Sequence, residues 1–219
     1  MDDNRKRLIL YHFTAAKFAL EDIKNRTLKV AQFEDLNDPF ELRCVELKTK
    51  EQEIAFDLYK ADMAVRFGVL CFSQRWDRIL QWSHYADRHR GICLGFDVSN
   101  LQSKFGEVKY GSQKLTFPPR LDQAFSWQML RTKYSGWSYE EEWRVFVELG
   151  EAKQKECNGR TLYFADFADE LVLREVILGA ENRGSVDEIR DTLRGFNPPV
   201  RLSRIHLSPD KFRLERRDI

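Results

Sequence analysis

The stretch Trp137-Ser138-Tyr139-Glu140-Glu141-Glu142-Trp143-Arg144 leads directly into the apolar segment Val145-Phe146-Val147. Three carboxylates therefore stand at the edge of a segment with the composition of a buried strand. In an extended chain alternate side chains share a face, so Glu140, Glu142 and Arg144 are predicted to point one way. The pattern predicts a candidate site on that face and core residues on the other.

The same acidic run also fits a solvated turn that precedes a strand. In that interpretation Glu142 and Arg144 form a surface ion pair, which contributes about 0–1 kcal/mol.

The composition is that of a soluble protein with a substantial core. The chain has 219 residues, of which 42% are apolar and 13% aromatic, and 36 basic against 35 acidic residues leave a net charge of +1. This balance lacks the global positive charge of many nucleic-acid-binding proteins. The charged run Met1 to Arg7 precedes no apolar segment of signal-peptide length, and no run reaches the length of a membrane span. We therefore expect a cytoplasmic protein with no membrane partner.

The residue types that hold metals are poorly spaced for that purpose. The four cysteines form no CxxC pair, and Cys71 and Cys93 lie in apolar runs, where a reduced, buried thiol is expected. His84 and His89 are five residues apart, which places them about 140° apart around a helix. No metal is expected.

Hydrophobic periodicity predicts one α+β domain over residues 1–219, with a mixed or split sheet of about eight strands flanked by helices. The predicted helices are 15–26, 51–66, 77–87, 121–133 and 185–194. The predicted strands are 8–13, 28–33, 67–73, 91–97, 108–110, 145–147, 161–164, 176–179, 200–206 and 211–216.

Two further groups of polar and aromatic residues lie at predicted element ends. Thr14 stands where the N-cap of the first helix is expected, and His12 and Thr14 are two residues apart, on one face of the first strand's end. Trp82 and Tyr85 are three apart and share a helical face, where they are either core residues or a stacking platform for a planar ligand.

Several motifs, in this order along nearly the whole chain, resemble the bacterial domain of unknown function 2971 family. They are Tyr11-His12-Phe13-Thr14, Asn37-Asp38-Pro39-Phe40-Glu41, Trp82-Ser83-His84-Tyr85-Ala86 to Gly91-Ile92-Cys93-Leu94-Gly95-Phe96-Asp97, Trp137-x-Tyr139-Glu140-x-Glu142-Trp143-Arg144 and Glu175-Val176-Ile177-Leu178-Gly179. The family name implies no function.

More distantly, the sequence resembles the ADP-ribosyltransferase fold, which has a histidine at the end of the first strand, an aromatic residue that stacks on nicotinamide, and a late glutamate. This resemblance implies that NAD is the substrate and that His12 holds one of its ribose hydroxyls. It implies that Thr14 supports the strand end. The nicotinamide would stack on Tyr85 or on Trp82.

By the same resemblance Glu142 is the late glutamate, and Glu140 resembles the first position of a Glu-x-Glu pair. Cleavage of the bond between nicotinamide and ribose develops an oxocarbenium-like cation, which a fixed carboxylate stabilises. Glu142 is the candidate for that role, and Glu140 would orient or deprotonate the acceptor.

Three functions follow as hypotheses. The first is an NAD-dependent ADP-ribosyltransferase-like enzyme, a toxin or phage-defence effector, that acts on an unknown protein or nucleic-acid acceptor. The second is a non-enzymatic nucleotide- or nucleic-acid-binding module on the same scaffold. The third is a metal-dependent nuclease or other hydrolase that uses Glu140, Glu142 and Asp38.

Overall fold

The computed structural model describes residues 7–100, 105–167 and 171–219, so most of the charged N-terminal run lies outside the described residues. The helices are α1 (Ala16–Asn25), α2 (Lys50–Arg66), α3 (Ile79–Tyr85), α4 (Gln123–Leu130) and α5 (Val186–Leu193), with short 3₁₀ helices at Phe33–Asp35 and Ser135–Glu140. The strands are β1 (Ile9–Thr14), β2 (Thr27–Val30), β3 (Val45–Glu46), β4 (Phe67–Ser73), β5 (Ile92–Asp97), β6 (Phe105–Glu107), β7 (Lys109–Gly111), β8 (Leu115–Thr116), β9 (Thr132–Tyr134), β10 (Glu142–Glu148), β11 (Lys153–Cys157), β12 (Arg160–Asp166), β13 (Val172–Leu178), β14 (Arg201–Leu207) and β15 (Leu214–Asp218).

The largest sheet has eight strands in the order β15-β14-β13-β5-β1-β4-β10-β6. Strands β13 and β14 are parallel, whereas β1 and β5, β5 and β13, and β14 and β15 are antiparallel. The prediction of a mixed sheet of about eight strands in a protein with both helices and strands is confirmed. The likeness to the ADP-ribosyltransferase fold stays a prediction, as does a single domain over residues 1–219.

The described residues form two compact units. The first unit comprises residues that fall within Met1–Leu28, Phe72–Ser103 and Asp166–Ile219. Its strand β5 is buried from Ile92 to Phe96, because β1 and β13 pair with its two edges. Helix α3 packs Trp82 against Phe13 of β1, and this contact belongs to an apolar cluster with Cys93, Ile177, Ile205 and Leu214.

The second unit comprises residues within Lys29–Cys71 and Lys104–Ala165. Its apolar core joins Phe56 and Met63 of α2 to Phe125 and Met129 of α4, with Val69 of β4 among them. Strands β11 and β12 form an antiparallel hairpin that turns at Asn158 and Gly159, both with positive φ.

Local structure differs from the sequence predictions at several places. The predicted helix 121–133 ends at Leu130, and its last residues belong to β9. Thr14 is the last residue of β1 and the N-cap of α1 is Ala15, so the predicted Thr14 cap is wrong. The predicted helix 77–87 is shorter, because Asp87 and the two residues after it have positive φ. Cys93 is buried as expected, but Cys71 is only partly buried.

Candidate functional site

The acidic run is built from a 3₁₀ helix, one left-handed residue and a strand, and not from a continuous extended segment. Ser135–Glu140 is the 3₁₀ helix, Glu141 has a φ of 43°, and β10 begins at Glu142. The turn at Glu141 directs the side chains on both sides of it into the protein. Glu140, Glu142 and Arg144 are only 3%, 4% and 1% exposed. The surface-turn interpretation is therefore wrong.

One ammonium group joins the two glutamates. Lys133 Nζ donates to Glu140 Oε2 at 2.5 Å and to Glu142 Oε2 at 3.0 Å. The same Nζ lies 5.0 Å from the centroid of the Trp137 ring, a cation–π distance. Lys133 is itself buried, because strand β9 carries it under the 3₁₀ helix that contains Trp137 and Glu140.

The guanidinium of Arg144 binds two carboxylates in bidentate fashion. Nε and Nη2 donate to the Glu142 oxygens at 2.8 and 3.2 Å, and Nη1 and Nη2 donate to those of Glu41 at 2.6 and 2.8 Å. A further bond of 2.9 Å runs from Nη1 to the Leu130 carbonyl. Paired forks of this kind fix the geometry of all three groups. We call Glu41, Lys133, Glu140, Glu142 and Arg144 the carboxylate cluster.

The cluster holds Glu142 as an anion. Burial alone raises the pKa of this carboxyl, but the charges of Arg144 and Lys133 outweigh burial and lower the pKa to about 2. The carboxylates in turn raise the pKa values of Lys133 and Arg144 against the effect of their own burial. The Glu142 backbone N–H also donates to the Tyr110 hydroxyl at 2.9 Å. Glu142 is thus ionised and held in one position, with both of its oxygens already accepting hydrogen bonds.

The candidate NAD-binding residues lie in the first unit. His12 and Thr14 alternate with Phe13 along β1, so their side chains point to the sheet face opposite to that of Phe13. The His12 ring contacts Phe72 edge-on at 5.9 Å, and the Phe13 ring contacts Trp82 edge-on at 5.1 Å. The structure therefore places His12 and Trp82 on opposite faces of the sheet.

The two candidate stacking residues differ in exposure. Trp82 is 0% exposed, and its indole N–H donates to the Trp76 carbonyl at 2.6 Å. It therefore takes the core role that the sequence left open. Tyr85 is only partly buried and packs against the cluster that contains Phe13 and Trp82. Of the pair, Tyr85 is the more exposed residue.

A further group on the Phe13 side of this sheet was not found from the sequence. Tyr11 donates its hydroxyl proton to Glu175 Oε2 at 3.2 Å, and Arg216 donates to the two oxygens of Glu175 at 2.7 and 3.3 Å. The Arg216 guanidinium carbon lies 5.3 Å from the Trp76 ring centroid. We call Tyr11, Trp76, Glu175 and Arg216 the aromatic–guanidinium face.

Strand pairing explains how this face forms. Tyr11 lies opposite Gly95, and Gly95 lies opposite Glu175, so two large side chains flank a residue without a side chain. A Cβ atom at Gly95 would lie 3.0 Å from the Glu175 Cβ and 3.1 Å from Tyr11 Cε1. Tyr11 and Glu175 each stand in a quoted family motif, but their pairing depends on strands 164 positions apart. Only the strand order reveals it.

The remaining candidate residue, Asp38, serves a turn. It is buried, and its carboxylate accepts the Phe40 backbone N–H at 2.9 Å. In the described parts of the chain, no three His, Cys, Asp or Glu side chains are arranged to hold a metal ion. No helix among the described residues is long and apolar enough to cross a membrane.

The fold and these groups define a protein of mixed helices and strands with an eight-stranded mixed sheet, a buried carboxylate cluster and a half-buried aromatic–guanidinium face. Residues 81–123 match the family described as Protein of unknown function (DUF2971), which confirms the family resemblance. No curated protein and no solved structure matches the chain.

Proposed function

We propose that the protein is a nucleotide-binding module that takes a planar base on the aromatic–guanidinium face, with NAD as the first candidate ligand. The observation that carries this proposal is the position of Arg216, which is held by Glu175 and faces the ring of half-buried Trp76. Aromatic stacking of a base contributes about 1–3 kcal/mol. A guanidinium fixed beside the ring adds directional donors for the polar edge of the base or for a phosphate.

An exposed cation next to the aromatic–guanidinium face suits the phosphate groups of a nucleotide. Arg201 lies opposite Glu175 in the sheet and pairs with Asp218 at 2.7 and 3.0 Å, with both side chains at least half-exposed. An exposed ion pair is screened by solvent and contributes little, so a phosphate can replace Asp218 as the partner of Arg201 at little cost. Arg201 therefore offers a cation for a phosphate next to the aromatic–guanidinium face.

Calorimetric titration with NAD tests this proposal. We expect binding in the wild type that Trp76→Ala weakens about 5- to 150-fold, the range that corresponds to the loss of one stacked base. His12→Ala is the matched control, because His12 lies on the opposite sheet face. Binding that His12→Ala weakens and Trp76→Ala does not would place the ligand elsewhere. No heat at two temperatures would exclude NAD as the ligand of this face.

The second candidate function is NAD-dependent ADP-ribosyl transfer in the cytoplasm, as a toxin or phage-defence effector with a protein or nucleic-acid acceptor. The observation that favours it is the convergence of Glu140 and Glu142 on one ammonium, with Glu142 kept ionised. An oriented carboxylate is the group that stabilises an oxocarbenium-like cation. The hydrogen bonds that occupy both Glu142 oxygens favour the binding module over this enzyme.

Release of nicotinamide from NAD tests the transferase without knowledge of the acceptor. A transferase loses nicotinamide release in Glu140→Gln and in Glu142→Gln, while His84→Gln, which changes an exposed side chain, retains it. Thermal melting of each variant separates lost chemistry from lost folding, since Glu142 is part of the buried cluster. Expression in bacteria adds a second readout: a toxin arrests growth, and Glu140→Gln relieves the arrest.

A further inference from the structure

Ser83 and His89 form a polar pair in the first unit that belongs neither to the carboxylate cluster nor to the aromatic–guanidinium face. Ser83 lies on α3 and His89 lies in the turn that follows it, with Oγ and Nε2 3.1 Å apart. Both side chains are partly buried, so the pair is shielded and still reaches solvent. A hydroxyl at hydrogen-bond distance from an imidazole nitrogen is the basic arrangement of an activated serine.

The turn that carries His89 is strained. Asp87, Arg88 and His89 have φ values of 44°, 54° and 67°, so three successive non-glycine residues are left-handed. The left-handed conformation is unfavourable for residues with a side chain, and it persists only where its surroundings impose it. Strain of this kind is concentrated at functional sites.

Contacts from a second segment hold the turn in place. The His89 N–H donates to the Trp82 carbonyl at 3.1 Å, and the His89 carbonyl accepts the Glu181 N–H at 3.0 Å. Asn182 Nδ2 donates to the Arg90 carbonyl at 2.7 Å. A Cβ at Gly179 would lie only 2.0 Å from the His89 carbonyl oxygen, so the close approach of the two segments requires glycine there.

The surroundings of His89 orient its imidazole and favour the neutral form of the ring. The Trp82 ring stacks on it with centroids 6.5 Å apart and planes 16° apart. Burial lowers the pKa of His89, against the opposing effect of the Glu181 charge. A neutral imidazole near neutral pH can accept a proton, and the nearby Glu181 charge stabilises the imidazolium that results.

We propose that Ser83 is a nucleophile, with His89 as its general base, and that it accepts an acyl group from a carboxylic ester. In the resting structure the Ser83 hydroxyl donates to the Ile79 carbonyl at 3.1 Å, and it lies at the same distance from His89 Nε2. In the tautomer that carries its proton on Nδ1, His89 Nε2 can accept the Ser83 proton. In the reaction, that proton moves to Nε2 while an Oγ–C bond forms. The ester C–O bond then breaks, and the leaving alcohol takes the proton from His89. Water then attacks the acyl group and gives a proton to His89. The Ser83 Oγ–C bond breaks, the carboxylic acid leaves, and His89 returns the proton to Ser83.

A fluorophosphonate is the probe, because its phosphorus is attacked as an acyl carbon is. The Ser83 Oγ–P bond forms, the P–F bond breaks, fluoride leaves and the hydroxyl proton moves to His89. We expect intact-mass analysis of the full chain to show one adduct, which peptide mapping places on Ser83 and which Ser83→Ala abolishes. The rate should rise with pH and level off once the imidazole is neutral.

His89→Asn separates general-base activation from simple accessibility, because asparagine tolerates the left-handed backbone of the turn. We expect labelling to slow about 100-fold or more, the size of a typical general-base contribution. His84→Gln changes an exposed histidine on the same helix and should label at the wild-type rate. Two results would overturn the proposal: no adduct on Ser83 of the natively folded wild type, or equal rates in the wild type and a folded His89→Asn.

Discussion

The guanidinium of Arg144 uses all three of its nitrogens on Glu41, Glu142 and the Leu130 carbonyl, with only 1% of the residue exposed. Removing one member of a buried ion pair leaves the partner charge unsolvated, at a cost of about 3–5 kcal/mol. Replacing the whole cluster by apolar residues is a different change, and it can be neutral. The direction of the effect thus depends on how many members are changed together.

Arg144→Leu should therefore lower the free energy of unfolding by about 3–5 kcal/mol, because it leaves Glu41 and Glu142 buried without their main cation. Urea unfolding followed by circular dichroism measures the change. Arg160→Leu is the control, since Arg160 pairs with Glu34 and Asp35 at the surface and should change stability by about 1 kcal/mol or less. Equal effects of the two substitutions would contradict the assignment of the cluster as buried and coupled.

Among the elements, helix α2 shows why sequence spacing does not settle orientation. The sequence predicts a helix over 51–66, and Lys50–Arg66 is helical. Its apolar residues at helical spacing, Ile54, Leu58 and Val65, are 55%, 69% and 79% exposed, whereas Phe56 and Met63 are buried. Two apolar faces on one helix are both compatible with the spacing, and only packing against α4 selects between them.

This assignment of faces predicts unequal mutational costs on one helix. Phe56→Ala should destabilise the protein by about 3–5 kcal/mol, because it leaves a cavity in the core of the second unit. Leu58→Ala, two residues away and exposed, should change stability by about 0.5 kcal/mol or less. Denaturant midpoints of the two variants measure the difference. A larger loss of stability for Leu58→Ala than for Phe56→Ala would mean that the helix face with Ile54, Leu58 and Val65 is covered in the folded protein.

Some elements can be predicted closely from the sequence. Strands β1, β4 and β5 and helix α5 are found close to their predicted bounds, because each is a short apolar or periodic run between breaking residues. The conformation of the acidic run is harder to predict, because a left-handed Glu141 separates two glutamates that alternation alone would place on one extended face. Glu140 and Glu142 do converge, but on Lys133, which stands before the quoted run and carries no signal of its own.

Contacts within the candidate sites are harder to predict from the sequence than the helices and strands that carry them. Ser83 and Glu175 lie inside motifs quoted from the sequence, but their partners, His89 and Arg216, are brought to them by a strained turn and by strand pairing. Local pattern finds residues that share an element. It does not find contacts that depend on the order of strands in a sheet.

At the scale of the whole molecule, pH acts on stability through two buried carboxyl groups with opposite shifts. The pKa of Glu142 lies near 2, below its ordinary value of 4.5, so its contribution to stability is present above pH 4.5 and is lost as pH falls toward 2. Asp22 on α1 is 7% exposed, and burial, helped by the charge of Glu21, raises its pKa from 3.8 to about 7. Its ionisation therefore destabilises the fold as pH rises from about 4 to about 7.

Asp22→Asn should remove the second of these effects and leave the first. At pH 8 the free energy of unfolding should rise by about 2–4 kcal/mol, because the wild type must keep a charged carboxylate in an apolar setting and the amide does not. Near pH 4, where the Asp22 carboxyl is protonated in the folded chain and ionised in only about half of the unfolded chains, the two proteins should differ by less than about 1 kcal/mol. Chemical unfolding at a series of pH values measures both limits, and Glu53→Gln, which neutralises an exposed carboxylate on α2, is the control. A stabilisation by Asp22→Asn that is the same at pH 4 and pH 8 would show that it arises from packing and not from ionisation.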